Sequence, residues 1–142
     1  MHTVGPVWHD GKGSEERDLE KAVCSALEAC RKYKTVALPA ISCGIFGFPP
    51  DLAAKITIRE IQDFMTSDSS VSRIDVVILK RDVMSAFQKA FVAAFGLDRV
   101  SNLSHMPASS VADSGGTYCC VNKFSRFLFL VFIFSQRRQH YK

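Results

Sequence analysis

The chain has 142 residues, 47% of them hydrophobic and 23% charged, a length and composition that fit one soluble globular domain. Its formal net charge of +4 arises wholly beyond residue 100, because residues 1–100 hold acids and bases in equal number; the charge is therefore weak support for nucleic-acid binding. Five cysteines, an odd number, with no recognisable signal peptide, argue against a disulfide framework and for a reducing compartment, nucleus and/or cytoplasm. The histidines (His2, His9, His105 and His140) are scattered, and no Cys/His group has zinc-like spacing.

Residues 1–8 read as a strand that ends at the Gly5-Pro6 turn signal. A flexible connection, 9–13, leads to Ser14, a suitable N-cap, and to Glu15, Glu16 and Asp18, which suit the first turn of a helix. Leu19, Val23, Ala26, Leu27 and Cys30 recur at helical spacing and predict an amphipathic helix to about residue 32. A buried strand is predicted over 35–42, a glycine-bearing loop to Phe48, and a helix over about 50–66 with Ala54, Ile58, Ile61 and Met65 on one stripe. After a polar loop at 66–70, residues 73–80 have the β-branched density of a central strand. Asp82 is the expected cap of a last helix with Met84, Phe87, Phe91 and Ala94 inward, and Gly96 its stop. Such alternation implies a mostly parallel sheet covered by helices, with a ligand site outside the carboxyl ends of the strands, where the 42–48 loop falls.

The loop between strand and helix is the most informative stretch. Ser42, Cys43, Gly44, Ile45, Phe46 and Gly47 sit between an apolar strand and Pro49-Pro50. A strand–loop–helix unit of this kind aims backbone N–H groups at one spot, in front of the positive end of a helix, and a phosphate or diphosphate is its natural occupant. Gly44 and Gly47 permit close backbone approach, and Phe46 offers an aromatic face. The bland alternative is a tight strand-to-helix turn with Phe46 as a core plug, and Phe48 reads as core. Ser42 and Cys43 are nucleophiles by type, but a nucleophile needs a base within reach, and only His2 or His9 is a conceivable spatial partner. Gly5, Pro6 and Trp8 read as setting strand exit and packing. Lys80 and Arg81 close the last strand, as ligand contacts or as solvated charges.

The segment from Pro39 through Ser42, Gly44, Phe46 and Gly47 to Pro49 resembles the second ligand loop of macrodomains, the ADP-ribose-binding modules. The run Val4-Gly5-Pro6 resembles the family strand that precedes it, and the closest likeness is to the macrodomains of poly(ADP-ribose) polymerase-type proteins. The resemblance implies an α/β fold: a partial macrodomain over 1–96, a three-layer α/β/α arrangement with a mostly parallel sheet. It implies that the backbone of Ser42, Cys43, Gly44, Ile45, Phe46 and Gly47 binds the diphosphate of ADP-ribose and that Phe46 packs against the distal ribose. The implied partners are ADP-ribose and ADP-ribosylated proteins, with no cofactor, no metal and no direct nucleic acid. The family's first ligand loop, rich in Asn and Ala, is not seen; the asparagines are Asn102 and Asn122. The expectation is therefore a binding module, impaired by the missing part and without a catalytic residue. The alternatives are an ADP-ribosyl hydrolase and an inactive or interaction fragment.

Residues 97–142 differ in kind. A Ser-rich linker precedes a continuous apolar run from Phe127 to Phe134, too short to span a bilayer as a helix. Three readings stay open: a membrane-touching tail, an added edge strand, or a disordered or sticky non-homologous end.

Overall fold

The computed structural model describes residues 1–67 and 70–96, together with the backbone of 118–121 and 130–133. The first helix, α1 (Glu15–Glu28), buries Leu19, Val23, Ala26 and Leu27 on one stripe and carries its acids in the first turn. It stops four residues before the expected end. Cys30, Arg31 and Tyr33 continue the chain in tight turns, donating to the carbonyls three residues back. Ser14 is at the N-cap as expected, but its hydroxyl donates to the Asp18 carboxylate at 2.6 Å rather than receiving a helix amide.

Strands β1 (Thr35–Pro39) and β2 (Arg73–Val77) pair in parallel, with Thr35 beside Arg73 and Pro39 beside Val77. Both alternate strictly: Val36, Leu38, Ile74 and Val76 are buried, while Thr35, Ala37 and Pro39 face solvent. Each strand ends three residues before the expected limit, because the chain there leaves the ladder to form loops. Between them lies α2 (Pro50–Thr66), with Pro50 in its first turn, where no intrahelical N–H is needed. After β2 comes α3 (Arg81–Phe95). Its N-cap is Lys80, not Asp82: the Lys80 carbonyl already accepts from the Met84 amide, which leaves Asp82 in the first turn. Gly96, at φ +86°, ends the helix as expected.

The helix α2 packs against both α1 and α3, so the three form one layer over the buried face of the sheet. Phe87, Ile61, Ile74 and Val76, each without accessible surface, lie in the core. The α/β class and the mostly parallel sheet agree with the sequence; of the three expected layers, the described residues supply the sheet and one helical layer. Tail strands β3 (Tyr118–Val121) and β4 (Leu130–Ile133) complete the sheet in the order β1-β2-β4-β3, with β4 parallel to β2 and β3 antiparallel to β4. The tail thus adds two strands rather than the single edge strand expected, and β4, from the apolar run, lies between β2 and β3. The linker and the rest of the apolar run lie outside the described residues.

Residues 1–8 are not a strand. They have no ladder partner among the described residues and instead run beside the 42–48 loop. No described helix is long and apolar enough to cross a membrane. No group of three metal-ligating side chains occurs among the described residues.

Candidate functional site

The loop after β1 is shaped by its own hydrogen bonds. The Cys43 amide donates to the Ala40 carbonyl at 3.2 Å, the Gly47 amide to Gly44 at 3.2 Å, and the Phe48 amide to Ser42 at 3.1 Å. Two of the six expected diphosphate-binding amides, those of Cys43 and Gly47, are thus engaged within the loop. The amides of Gly44, Ile45 and Phe46 meet no acceptor among the described residues. They are three successive donors just ahead of the N-terminus of α2, the arrangement that suits an anion.

The glycines serve different ends. A Cβ on Gly44 would meet nothing within 4 Å, and its backbone is not left-handed, so Gly44 leaves open space in front of the loop. Gly47 sits at φ +65°, a conformation that costs an L-residue about 1–2 kcal/mol. Ser42 adopts the same region, φ +62°, without being glycine. Its hydroxyl donates to the Pro6 carbonyl at 2.7 Å. At the other end of the loop, the Trp8 amide donates to the Phe46 carbonyl at 2.9 Å.

Phe48 is buried and meets Trp8 edge-on, ring centroids 4.8 Å apart, as the core role expected of it requires. Phe46 is half-buried rather than a core plug, and Ile45 is 98% exposed at the loop tip. Beside the loop, between the carboxyl ends of β1 and β2, lies a cavity of about 150 Å³. Pro39, Ala40, Cys43 and Gly44 line one side, and residues 77–80 with Val83 the other. Lys80 is exposed at its edge, as is Arg81 at the start of α3.

The nucleophile candidates are held in unreactive states. The Cys43 thiol is buried, lies 3.5 Å from the Ile41 carbonyl, and is pushed up to about 11 by burial, then by the Asp82 carboxylate, against a smaller effect of Lys80. At neutral pH it is a thiol, not the thiolate that attacks. The Ser42 proton is directed at Pro6, and the His9 ring nitrogen Nδ1 lies 3.1 Å from the carbonyl of Val7.

One residue was missed in the sequence. Glu15, read as a first-turn acid, is buried and accepts from the amides of His9 (3.2 Å) and Gly13 (2.8 Å), which fixes the connection between the N-terminal segment and α1. Its own amide, ahead of those of Gly13 and His9, holds the carboxyl below the usual glutamate range against the opposing effect of burial. The Gly-containing connection two residues before it was the available signal.

A sequence model of the Macro domain family matches residues 1–57. An O-acetyl-ADP-ribose deacetylase of Klebsiella pneumoniae is 34% identical over 91 residues, which cover 63% of this chain and 52% of that protein. One from Escherichia fergusonii is 44% identical over 68 residues, covering 46% and 38%. The Oceanobacillus iheyensis macrodomain, solved as a variant with ADPR, superposes with a TM-score of 0.58 at 29% identity, over 66% of this chain and 50% of that one. The same macrodomain solved with ADP gives 0.57 over the same shares. The chain spans about half, or less, of the length of these curated relatives. The loop, the order of the elements and these matches agree in making the chain similar, in sequence and in fold, to part of a macrodomain.

Proposed function

We propose that the chain binds ADP-ribose, free or attached to protein, through the backbone of the 42–47 loop. The observation that carries this reading is the row of uncommitted amides at Gly44, Ile45 and Phe46, with clear space in front of Gly44 and the N-terminus of α2 behind. A diphosphate satisfies all three donors, and the half-buried ring of Phe46 is available to a ribose. The adjacent cavity takes a further part of the ligand. The likeness to polymerase-type macrodomains, with ADP-ribosylated proteins as partners in nucleus or cytoplasm, rests on the loop residues alone.

The energetics set the expected strength. Charge-assisted hydrogen bonds contribute roughly 1.5–3 kcal/mol each, so three supply about 4.5–9 kcal/mol. Association costs of about 4–15 kcal/mol consume most of that. The loop therefore selects the ligand, and affinity depends on what else touches it, in keeping with a chain that spans half of its relatives.

A second reading, hydrolysis of an ADP-ribose derivative, is favoured by the likeness to bacterial O-acetyl-ADP-ribose deacetylases. Binding stands first because the loop's hydroxyl and thiol are both held in unreactive states. Isothermal titration of ADP-ribose into the full chain, beside Gly44→Glu, tests the proposal. Saturable one-to-one heat that the substitution abolishes is the expected result. No heat from a chain with a folded circular dichroism spectrum overturns it.

A further inference from the structure

We infer that Ser42 is a positioning residue: its hydroxyl clamps the loop to the Gly5-Pro6 segment and so holds the amides of Gly44, Ile45 and Phe46 in line before any ligand arrives. The inference rests on the reading of this loop as an anion site and adds to it the device that preforms the site.

Two hydrogen bonds tie the loop to the N-terminal segment, and they bracket the free amides. The Ser42 hydroxyl donates to Pro6 on one side, and the Trp8 amide donates to Phe46 on the other. Beyond these anchors, the backbone bonds that shape the loop among the described residues are Cys43–Ala40, Gly47–Gly44 and Phe48–Ser42. Ser42 also has a left-handed backbone, which a serine adopts only where its surroundings impose it. The opposing surface is matched to it. Gly5 has no side chain, and a Cβ there would run into the Ser42 hydroxyl and the Ile41 side chain. Hydroxyl, carbonyl and missing side chain interlock, so residues 5–8 and 42–48 behave as one body.

An aligned row of donors binds an anion without ordering the backbone at that moment, and the loss of alignment is read as weaker binding. The discriminating variant is Ser42→Gly, which accepts the left-handed backbone but lacks the hydroxyl. Amide ¹⁵N relaxation of the unliganded full chain is the first readout. In the wild type the amides of 44–46 are expected near an order parameter of about 0.85, and in Ser42→Gly below about 0.6. ADP-ribose affinity is expected to fall about tenfold, or 1.4 kcal/mol, while the melting temperature barely moves. Gly5→Ala, which displaces the hydroxyl without touching the loop sequence, is expected to loosen the same amides, and the double variant to be no worse than the more severe single one. Unchanged order at 44–46 in Ser42→Gly overturns the inference. If the wild type fails to bind ADP-ribose, the functional reading falls, and the relaxation data still decide whether Ser42 holds the loop.

Discussion

Alanine at Gly47 and alanine at Gly44 should have opposite effects on stability, although the two residues stand three apart in one loop. At Gly47 the backbone is left-handed, φ +65°, and a Cβ would touch nothing within 4 Å. The cost is therefore conformational alone, about 1–2 kcal/mol. At Gly44 the backbone is not left-handed and the space is equally clear. Alanine there restricts only the unfolded chain and should stabilise by about 0.4–1 kcal/mol. The variants should thus differ by roughly 1.5–3 kcal/mol. In a fold of this size, about 4–8 °C per kcal/mol, the melting temperatures should separate by about 6–24 °C. Thermal unfolding of both full-length variants, followed by circular dichroism, measures the gap. Gly44→Ala should then lose more affinity for ADP-ribose than Gly47→Ala, since its methyl group stands in front of the free amides. Equal destabilisation by the two substitutions would refute the assigned loop geometry.

The Thr57 hydroxyl in α2 is buried with no hydrogen-bond partner among the described residues, so Thr57→Val, of similar shape and helix propensity, should stabilise by about 1 kcal/mol, seen as a higher urea midpoint at unchanged slope; a lower midpoint would show that the hydroxyl is satisfied. The folded state holds the Glu15 carboxyl below the usual glutamate range, so its contribution is present above the unfolded carboxyl range and is lost as pH falls through the folded value. Glu15→Gln should therefore lower the melting temperature at pH 7, with the gap to the wild type closing as the pH is brought below the folded value; a gap that does not narrow in acid would assign the effect to packing.

Regular elements were legible where one local rule dominates. Pro50 after a loop, followed by a helical apolar stripe, placed α2 to the residue, and Gly96 marked the end of α3. Ladder limits were less legible, because residues 40–42 and 78–80 are as apolar as the strands they follow, yet they belong to the 42–48 loop and to the approach to α3. Residues 1–8 show the same limit: the pattern of a strand is present, but pairing needs a neighbour that no local pattern supplies. At the loop, Gly44 and Gly47 were legible as special positions. The split between engaged and free amides was not, since the loop turns through a left-handed Ser42, an uncommon conformation for serine, with its hydroxyl bonded to the distant Pro6.

The burial of Cys43 makes the loop its own chemical clock. Cys24 is exposed on α1, whereas Cys30 and Cys43 are buried, and burial holds both thiols above the usual cysteine range, so they ionise less readily. An alkylating reagent reaches the Cys43 sulfur only when the loop opens, so its modification rate, read site by site by mass spectrometry, reports the free energy of local opening. Ligands that seat on the loop slow that rate in proportion to their occupancy, and Cys24 in the same molecule supplies the unprotected reference.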